Sequence, residues 1–344
     1  MKRPKNLEPL YLIIFAILFF GHSVKGQLSD FTNYNFNSAD SIAALHVKHP
    51  INDLKELSEK LTNSLTSDLE KFRAIYKWVC NNIENDYGFY LKNKRMREKL
   101  NNNPVELKEW NRKFHPKVFN KLVKEYKTVC TGYAYLIKEL AYYANIEVEL
   151  VNGYGRTAQA NIGGEGIPNH SWNVVNLYDK WYLCDATWSS GSINPQHSSF
   201  LKEFSEGYFL SDPNLFVKNH YPLDTNWILL KQRPTLEEFL NGPLIYKGAF
   251  NHQIVPIQPS TFHLSIKKSE SLTFSFSSKL DLTGKTIEIQ QRRGSSKIST
   301  YSRVYKDSNG LYFLDQPFNR RGIVDVHLLV DHDYIVTYSV EVLK

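Results

Sequence analysis

The 344-residue sequence predicts an α+β fold, in which helices pack on an antiparallel sheet, followed by a β-sandwich at the carboxyl end. Three observations lead to this prediction. Apolar residues recur at helical spacing in the first half, alternating runs in the middle indicate strands, and seven short alternating runs fill the last quarter. Hydrophobic residues make up 42% of the chain, which is enough for one large core or two ordinary ones.

Residues 1–26 have the pattern of a secretory signal. Lys2 and Arg3 give a basic start, an apolar run follows at 10–20, and small residues precede a predicted cleavage before Gln27. This run of 11 residues is shorter than the roughly 20 that a membrane helix needs. We therefore expect a protein that is secreted, periplasmic or on the cell surface, with an uncleaved N-terminal anchor as the alternative. No integral membrane span is expected after removal of the signal.

Two helices are predicted ahead of the basic segment. Residues 27–50 are polar and predicted to be irregular, and a first helix is predicted over 51–62. A stronger helix follows, because Ser67 and Glu70 have the spacing of a capping box and apolar residues then recur on one face. That face consists of Leu69, Phe72, Tyr76, Val79 and Ile83.

The segment 91–127 carries the excess positive charge of the chain. It holds twelve basic and four acidic residues, whereas the rest of the chain after residue 26 is net acidic. We predict helices broken at Pro104 and Pro116. One interpretation is a solvated pair of helices, and the other is a surface for an anionic cell-surface polymer or an anionic membrane face. Nucleic acid is not an expected partner of an exported protein.

The central unit is predicted to contain a helix, a strand, a loop and a hairpin. The helix begins at Cys130 and has small residues on its apolar face. Residues 146–154 alternate as a strand, 155–169 form a Gly-rich loop, and 170–188 form two strands joined at the sequence YDK.

The last part of the chain is predicted to be an Ig-like β-sandwich. Its seven alternating runs follow a cluster of Gly248, Pro256 and Pro259. We therefore divide the chain into a signal at 1–26, a first domain at 27–250 that includes the basic segment 91–127, and the sandwich at 251–344.

The three cysteines differ in their predicted settings. Cys130 stands at a helix start, where the helix dipole and free N–H groups favour the nucleophilic thiolate, although a buried inert thiol is the alternative. Cys80 and Cys184 are predicted to be small buried residues with a hydrophobic packing role. An odd number of cysteines leaves at least one thiol unpaired, and a Cys80–Cys184 disulfide stays open.

His170 and Asp185 complete a candidate catalytic triad with Cys130. They lie on adjacent strands of the predicted hairpin and on the same face, so the turn can bring them together. A thiol acyl-transfer reaction needs a cysteine nucleophile, a histidine base and an orienting acid. Taken singly, the histidine could be an ordinary surface residue and the aspartate a turn or helix cap.

Several stretches together resemble the transglutaminase-like superfamily. They are VCTGYAYLIKELAYYANIEVELVNGYGR, NHSWNVV, WYLCDATWSSG, LTSDLEKFRAIYKWVCNNIENDY and YFLSDPNLFVKNHYPLDTNWILL. Within it, they are most similar to the kyphoscoliosis-peptidase-like and cytokinesis-protein-like group. The resemblance covers about residues 40–245.

The resemblance implies a papain-like core with Cys130 as nucleophile, His170 as base and Asp185 as orienting acid. It implies an exported thiol enzyme that acts on amide bonds of proteins or peptides through a thioester, as a cysteine peptidase or a transglutaminase-type acyl transferase. Hydrolysis, crosslinking and removal of N-glycans stay open. The alternative is a catalytically silent scaffold that binds a peptide or a cell-surface polymer.

The sequence also suggests residues that line the substrate pocket, and it bears on cofactors. Trp172, Trp188 and Tyr133 are candidate pocket residues, each with a packing role as the alternative. The segment 91–127 resembles an insertion that could line the cleft. The upstream glutamine that papain-type enzymes use as an oxyanion donor is missing between Gln27 and Gln159, so the second donor is open. No metal-ligand spacing and no nucleotide loop is found, so no cofactor is expected.

Overall fold

The computed structural model describes residues 27–31, 34–194, 197, 199–301 and 303–344, and the predicted signal at 1–26 lies outside them. The helices are α1 (Asn37–Leu45), α2 (Leu54–Thr62), α3 (Asp68–Asn82), α4 (Tyr87–Lys99), α5 (Pro104–Glu125), α6 (Cys130–Tyr143), α7 (Ala186–Ser190), α8 (Pro213–Phe216), α9 (Leu236–Asn241) and α10 (Lys247–Asn251). None of them, within the described part of the chain, has the length and apolar composition needed to cross a bilayer.

The strands divide into a group before residue 246 and a group after residue 253. The first group is β1 (Glu84–Asn85), β2 (Lys127–Thr128), β3 (Val148–Gly155), β4 (His170–Leu177), β5 (Lys180–Cys184), β6 (Gly191–Asn194), β7 (Ser199–Lys202), β8 (His220–Pro222) and β9 (Leu244–Ile245). The second group is β10 (Ile254–Gln258), β11 (His263–Lys267), β12 (Ser271–Ser278), β13 (Ile287–Arg293), β14 (Ser296–Thr300), β15 (Tyr305–Lys306), β16 (Tyr312–Pro317), β17 (Gly322–Val330) and β18 (Asp333–Leu343).

A four-stranded antiparallel sheet in the order β5-β4-β3-β8 lies at the centre of the first half. One face, which includes Val175 and Leu177, packs on the helical core of α2, α3 and α6. The other face, which includes Trp172 and Val174, belongs to a second core. Because both faces are covered, β4 is buried along most of its length rather than alternately exposed. The predicted fold of helices on an antiparallel sheet is confirmed.

The carboxyl-terminal region forms two facing sheets, as predicted for a sandwich. Their orders are β10-β12-β16-β15 and β11-β18-β17-β13-β14. Nine strands fall in the described part of this region rather than the seven predicted. One of the additional strands is β10, which holds Pro256 at an edge of its sheet, next to a register shift. Proline is tolerated at such positions because an edge strand need not donate every N–H.

The second core joins the central sheet to the sandwich. It includes Val174 of β4, Phe250 of α10 and Val326 of β17 in one cluster. β9 also pairs with β18, so a strand from before residue 250 completes a sheet from after it. The domain boundary near residue 250 stays a prediction, and the packing across it is extensive.

Two expectations about the helices are corrected by the structure. Residues 37–45 form α1 although 27–50 was predicted to be irregular, because Ala39 and Ala43 pack against the rest of the helical region. Pro116 lies inside α5 rather than at a break, while Pro104 starts that helix as predicted. Phe114, Val118 and Leu122 are buried on one face of α5, and this packing offsets the hydrogen bond that proline removes.

Candidate active site

Cys130 is the first residue of α6, as predicted, and it faces a cavity. Val129 before it makes no side-chain cap, so the first N–H groups of the helix have no partner within it. The thiol is partly exposed and lines a cavity of about 500 Å³. Its position is fixed from two sides, since Thr128 in β2 pairs with Asn85 in β1 and the Thr131 hydroxyl lies 3.3 Å from that of Ser171 in β4.

The hairpin of β4 and β5 brings His170 to Asp185. Tyr178 and Asp179 form its two-residue turn with φ values of 55° and 60°, which is the left-handed geometry that tight hairpins require. The resulting register pairs Asn173 with Cys184, so Asp185, the next residue after Cys184, lies toward the His170 end of β4. His170 Nε2 lies 2.8 Å from Asp185 Oδ2, and both side chains are buried.

Asp185 is also the N-cap residue of α7, so one carboxylate both caps a helix and hydrogen-bonds His170. Its Oδ1 accepts hydrogen bonds from the backbone N–H groups of Thr187 at 2.8 Å and Trp188 at 3.3 Å, at the start of α7. These two bonds hold the carboxylate plane and leave Oδ2 for imidazole.

The electrostatics of the three groups favour an ion pair between sulfur and imidazole. Burial acts to lower the pKa of His170, but the charge and hydrogen bond of Asp185, together with Cys130, raise it to about 10. Burial acts to raise the pKa of the Cys130 thiol, but the hydrogen bond and charge of His170 lower it overall. Burial likewise acts against ionisation of Asp185, yet the contact with His170 keeps its pKa below the usual range. The arrangement therefore stabilises thiolate, imidazolium and carboxylate at neutral pH.

The other two cysteines have the opposite character. Cys80 and Cys184 are buried and free, and burial raises the pKa of both thiols well above the usual value. They are therefore inert thiols, as their sequence context predicted, and they differ from Cys130 in exposure and in charge partners.

The cavity beside Cys130 is mainly apolar and aromatic, with cationic residues on its walls. Helix α4 contributes Tyr87, Tyr90, Leu91 and Lys94, so the basic segment does line the cleft. The Gly-rich loop contributes Thr157 to Gln159, and the segment before the sandwich contributes residues 244–247. A cavity of this size and composition suits a polypeptide side chain or a short peptide segment.

The three expected pocket residues fall in different places. Trp188 lines the cavity and stacks on His170 with ring centroids 5.0 Å apart. Tyr133 is fully buried and donates a hydrogen bond to the Ile83 carbonyl at 2.9 Å. Trp172 is 1% exposed and packs in the second core. The pocket expectation for Tyr133 and Trp172 is therefore corrected, because packing takes the surface that a substrate would need.

Sequence reasoning did not single out His220, which lies on the same carboxylate as His170. Its Nε2 is 3.1 Å from Asp185 Oδ2, and the ring is fully buried. The only signal in the sequence was its place within NLFVKNHYPLD, a stretch quoted for the family resemblance. Nothing in that stretch indicates which strand β8 pairs with.

His170, Asp185 and His220 form a group whose donor atoms lie within 4.8 Å of one another, as in some metal sites. In this structure both imidazole Nε2 atoms make hydrogen bonds to the same oxygen. The two imidazoles and the carboxylate thus satisfy each other's hydrogen-bonding groups, and the geometry is that of a hydrogen-bonded network.

Comparison with known proteins identifies the class of this domain. Residues 55–186 match the model of the transglutaminase-like superfamily. The chain therefore carries a transglutaminase-like domain, and the family resemblance of the sequence is confirmed.

Two relatives illustrate the similarity. Kyphoscoliosis peptidase of Mus musculus is 32% identical over 210 residues, which cover 60% of this chain and 29% of that protein. Hillarin of Drosophila melanogaster is 25% identical over 230 residues, covering 63% and 26%. The chain thus spans less than a third of the length of these relatives. A solved structure titled "Crystal structure of a TGase" is 19% identical over a match that covers 53% of this chain and 40% of that one, with a TM-score of 0.27.

Proposed function

We propose that this protein is a thiol enzyme that acts on amide bonds of proteins or peptides. Cys130 is the nucleophile, His170 the base and Asp185 the orienting acid. The observation that carries the proposal is the partly exposed Cys130 at the start of α6, with a lowered pKa, beside a histidine held by a buried carboxylate. The name of the relative Kyphoscoliosis peptidase agrees with this class of reaction.

In the first step the Cys130 thiolate attacks the carbonyl carbon of the amide. The carbon–sulfur bond forms as the carbonyl oxygen becomes an oxyanion. His170 then gives its proton to the amide nitrogen, the carbon–nitrogen bond breaks, and the amine leaves. The product is a thioester on Cys130 and a neutral imidazole on His170.

In the second step an acceptor attacks the thioester. His170 takes the proton of the acceptor, the carbon–sulfur bond breaks, and the thiolate is restored. With water as acceptor the result is hydrolysis, and with an amine it is transamidation. We favour hydrolysis, because water is always available as an acceptor.

The oxyanion needs hydrogen-bond donors, and two candidates lie at the cavity, on Cys130 itself and on Asn85. The backbone N–H of Cys130 is unpaired within α6. The side chain of Asn85 belongs to the same cavity wall, and its buried Oδ1 has no hydrogen-bond partner among the described residues. We assign its amide N–H₂ group as the second donor, which is the role that papain-type enzymes give to glutamine.

The experiment that tests this function compares two cysteine variants. Wild type, Cys130→Ala and Cys80→Ala are incubated with a peptide library and with a labelled amine, and cleavage and amine incorporation are measured. Cys130→Ala should lose all activity with an unchanged melting temperature. Cys80→Ala should keep the wild-type activity per mole of folded protein. Full activity in Cys130→Ala contradicts the proposal.

A second measurement separates an enzyme from a silent binding scaffold. Cys130 should react rapidly with iodoacetamide near pH 6, because imidazole stabilises its thiolate, and Cys80 and Cys184 should not. Slow alkylation of Cys130 in folded wild type would favour the scaffold.

We also propose export and a surface partner. Residues 1–26 support a secretory signal, and the exposed basic side chains of α4 and α5 support contact with an anionic cell-surface polymer. N-terminal sequencing of protein recovered outside the cell would show whether cleavage occurs before Gln27.

A further inference from the structure

His220 shares one carboxylate oxygen with His170, although the two residues lie on strands that do not touch. His170 begins β4 and His220 begins β8, with β3 between them. Opposite His220 in the register is Gly155, and a Cβ at that glycine would lie 2.8 Å from the Cβ of His170. The missing side chain on β3 is what lets the two imidazoles approach across the strand.

The carboxylate of Asp185 is surrounded by donors on both oxygens. Oδ1 accepts the two backbone N–H groups of α7, and Oδ2 accepts His170 at 2.8 Å and His220 at 3.1 Å. A fully buried carboxylate is costly unless each oxygen is hydrogen-bonded. His220 is therefore part of what keeps Asp185 ionised and in place.

The surroundings of His220 keep it neutral. Its ring stacks on Phe216 with centroids 3.9 Å apart and packs on Trp188 at 4.3 Å. The titratable groups that face it are Asp185, His170 and Tyr208. Burial is the main reason that the pKa of His220 falls to about 4, despite the nearby carboxylate.

Neutrality determines where the hydrogen of His220 resides. A neutral imidazole has one N–H, and an ionised carboxylate can only accept, so the hydrogen is on Nε2. Nδ1, which lies 2.6 Å from the side-chain Oδ1 of Asn219, must then accept a hydrogen bond, so the Asn219 amide has to be flipped to place its nitrogen there. We orient that amide with its nitrogen toward the ring, which also gives a partner to a nitrogen that has none among the other described residues.

We infer that His220 is a positioning residue for the triad. It is an uncharged donor that fixes Asp185 and, through Asp185, the imidazolium of His170. An arginine or lysine in its place would also bind the carboxylate, but its charge would compete with His170 for the negative charge. A neutral donor holds the carboxylate and leaves its full charge for His170. This inference rests on the proposed roles of Cys130, His170 and Asp185.

The test uses a matched pair of substitutions at one position. In His220→Gln the amide nitrogen reaches the place of Nε2, whereas in His220→Asn it reaches only the place of Nδ1. Both variants are polar and neutral, so their effects on folding are comparable. His327→Asn is the control, because His327 in β17 is also buried and bonded to a side-chain hydroxyl.

The readout is the rate of iodoacetamide alkylation of Cys130 from pH 4 to 9, with Cys130→Ala as the blank. We expect His220→Asn to react about tenfold more slowly than wild type at pH 6, with its profile moved to higher pH. His220→Gln and His327→Asn should stay within about threefold of wild type and keep its profile. On a substrate cleaved by wild type, His220→Asn should lose kcat more than it raises KM.

Each outcome decides one question. If wild-type Cys130 reacts slowly at pH 6, the proposed function fails. If wild type reacts rapidly and His220→Asn has the same profile, the positioning role of His220 fails. The positioning role also fails if His220→Gln and His220→Asn lose the same rate, because the nitrogen position would then be irrelevant.

Discussion

At the scale of single residues, buried charges in this structure are stabilised by ion-pair and hydrogen-bond partners. The Arg73 guanidinium of α3 is almost fully buried and pairs with Asp40 of α1 and with Glu206. Asp185 is buried as deeply and is held by four hydrogen bonds. In both cases the charge is retained because its partners have fixed positions.

The buried neutral histidine makes stability depend on pH. The pKa of His220 is about 4 in the folded chain and about 6.5 when unfolded. Below pH 6.5 the unfolded chain binds a proton that the folded chain does not, so folding stability falls as pH falls from 6.5 to 4. The loss from this group is about 3 kcal/mol.

Urea unfolding at pH 7, 5.5 and 4.5 measures this effect. The slope of stability against pH should be smaller in His220→Gln than in wild type, and unchanged in His263→Gln, which replaces an exposed histidine. An identical slope in wild type and His220→Gln would contradict the assignment of His220 as neutral and buried.

At the scale of elements, the pairing of β4 with β5 could be predicted from the sequence, whereas the pairing of β8 with β3 could not. Alternation over 170–185 and a two-residue turn are local signals, and they place His170 and Asp185 on one face of one hairpin. β8 pairs with β3 across some 65 residues of chain, and no local pattern encodes that pairing. His220 was missed for this reason. Helix α1 was missed because its buried face consists of alanines, which give a weak periodic signal.

Gly155 in β3 should be sensitive to the addition of a single methyl group. Its Cβ would stand 2.8 Å from the His170 Cβ, so the histidine must move by about 1 Å. A displacement of that size can reduce catalysis about 100-fold. Gly155→Ala should therefore lower kcat/KM by this factor, with a stability loss of about 1–3 kcal/mol.

The matched control for this prediction is Gly88→Ala in α4. A Cβ there meets Asp86 at 3.4 Å, which is an ordinary contact. Activity assays and thermal melts of both variants check the prediction. Wild-type activity in Gly155→Ala would show that β3 tolerates a side chain beneath His170.

At the scale of the whole molecule, the transglutaminase-like region and the sandwich share a core. Val174 of β4 and Val326 of β17 lie in one buried cluster, and Ile245 of β9 pairs with Val336 of β18. Most strands after residue 253 followed from alternation along the chain, although β10 was not predicted. Their contact with the central sheet did not, because it depends on the shapes of side chains from distant segments.

We predict that the two regions unfold together. All six tryptophans precede residue 228, so their fluorescence follows unfolding of the first region and, through Trp172, of its contact with the sandwich. Leu314 of β16 is fully buried in the sandwich, and Leu314→Ala should cost about 2–5 kcal/mol. This substitution should lower the unfolding midpoint measured by tryptophan fluorescence as much as the unfolding midpoint measured by circular dichroism.

Leu343→Ala, at an exposed position near the end of β18, should leave both midpoints unchanged. Separate midpoints for the two signals in Leu314→Ala would mean that the regions unfold independently.

The short strand β9 has a consequence for how specificity can change in evolution or engineering. Leu244 and Ile245 line the cleft and are paired to Thr337 and Val336 near the carboxyl end. A graft that exchanged everything beyond residue 251 would retain Cys130, His170 and Asp185, yet it would alter the support under one wall of the cleft. If the chain has the activity proposed above, its substrate choice depends on both halves of the polypeptide, and neither half can be exchanged without effect on the cleft.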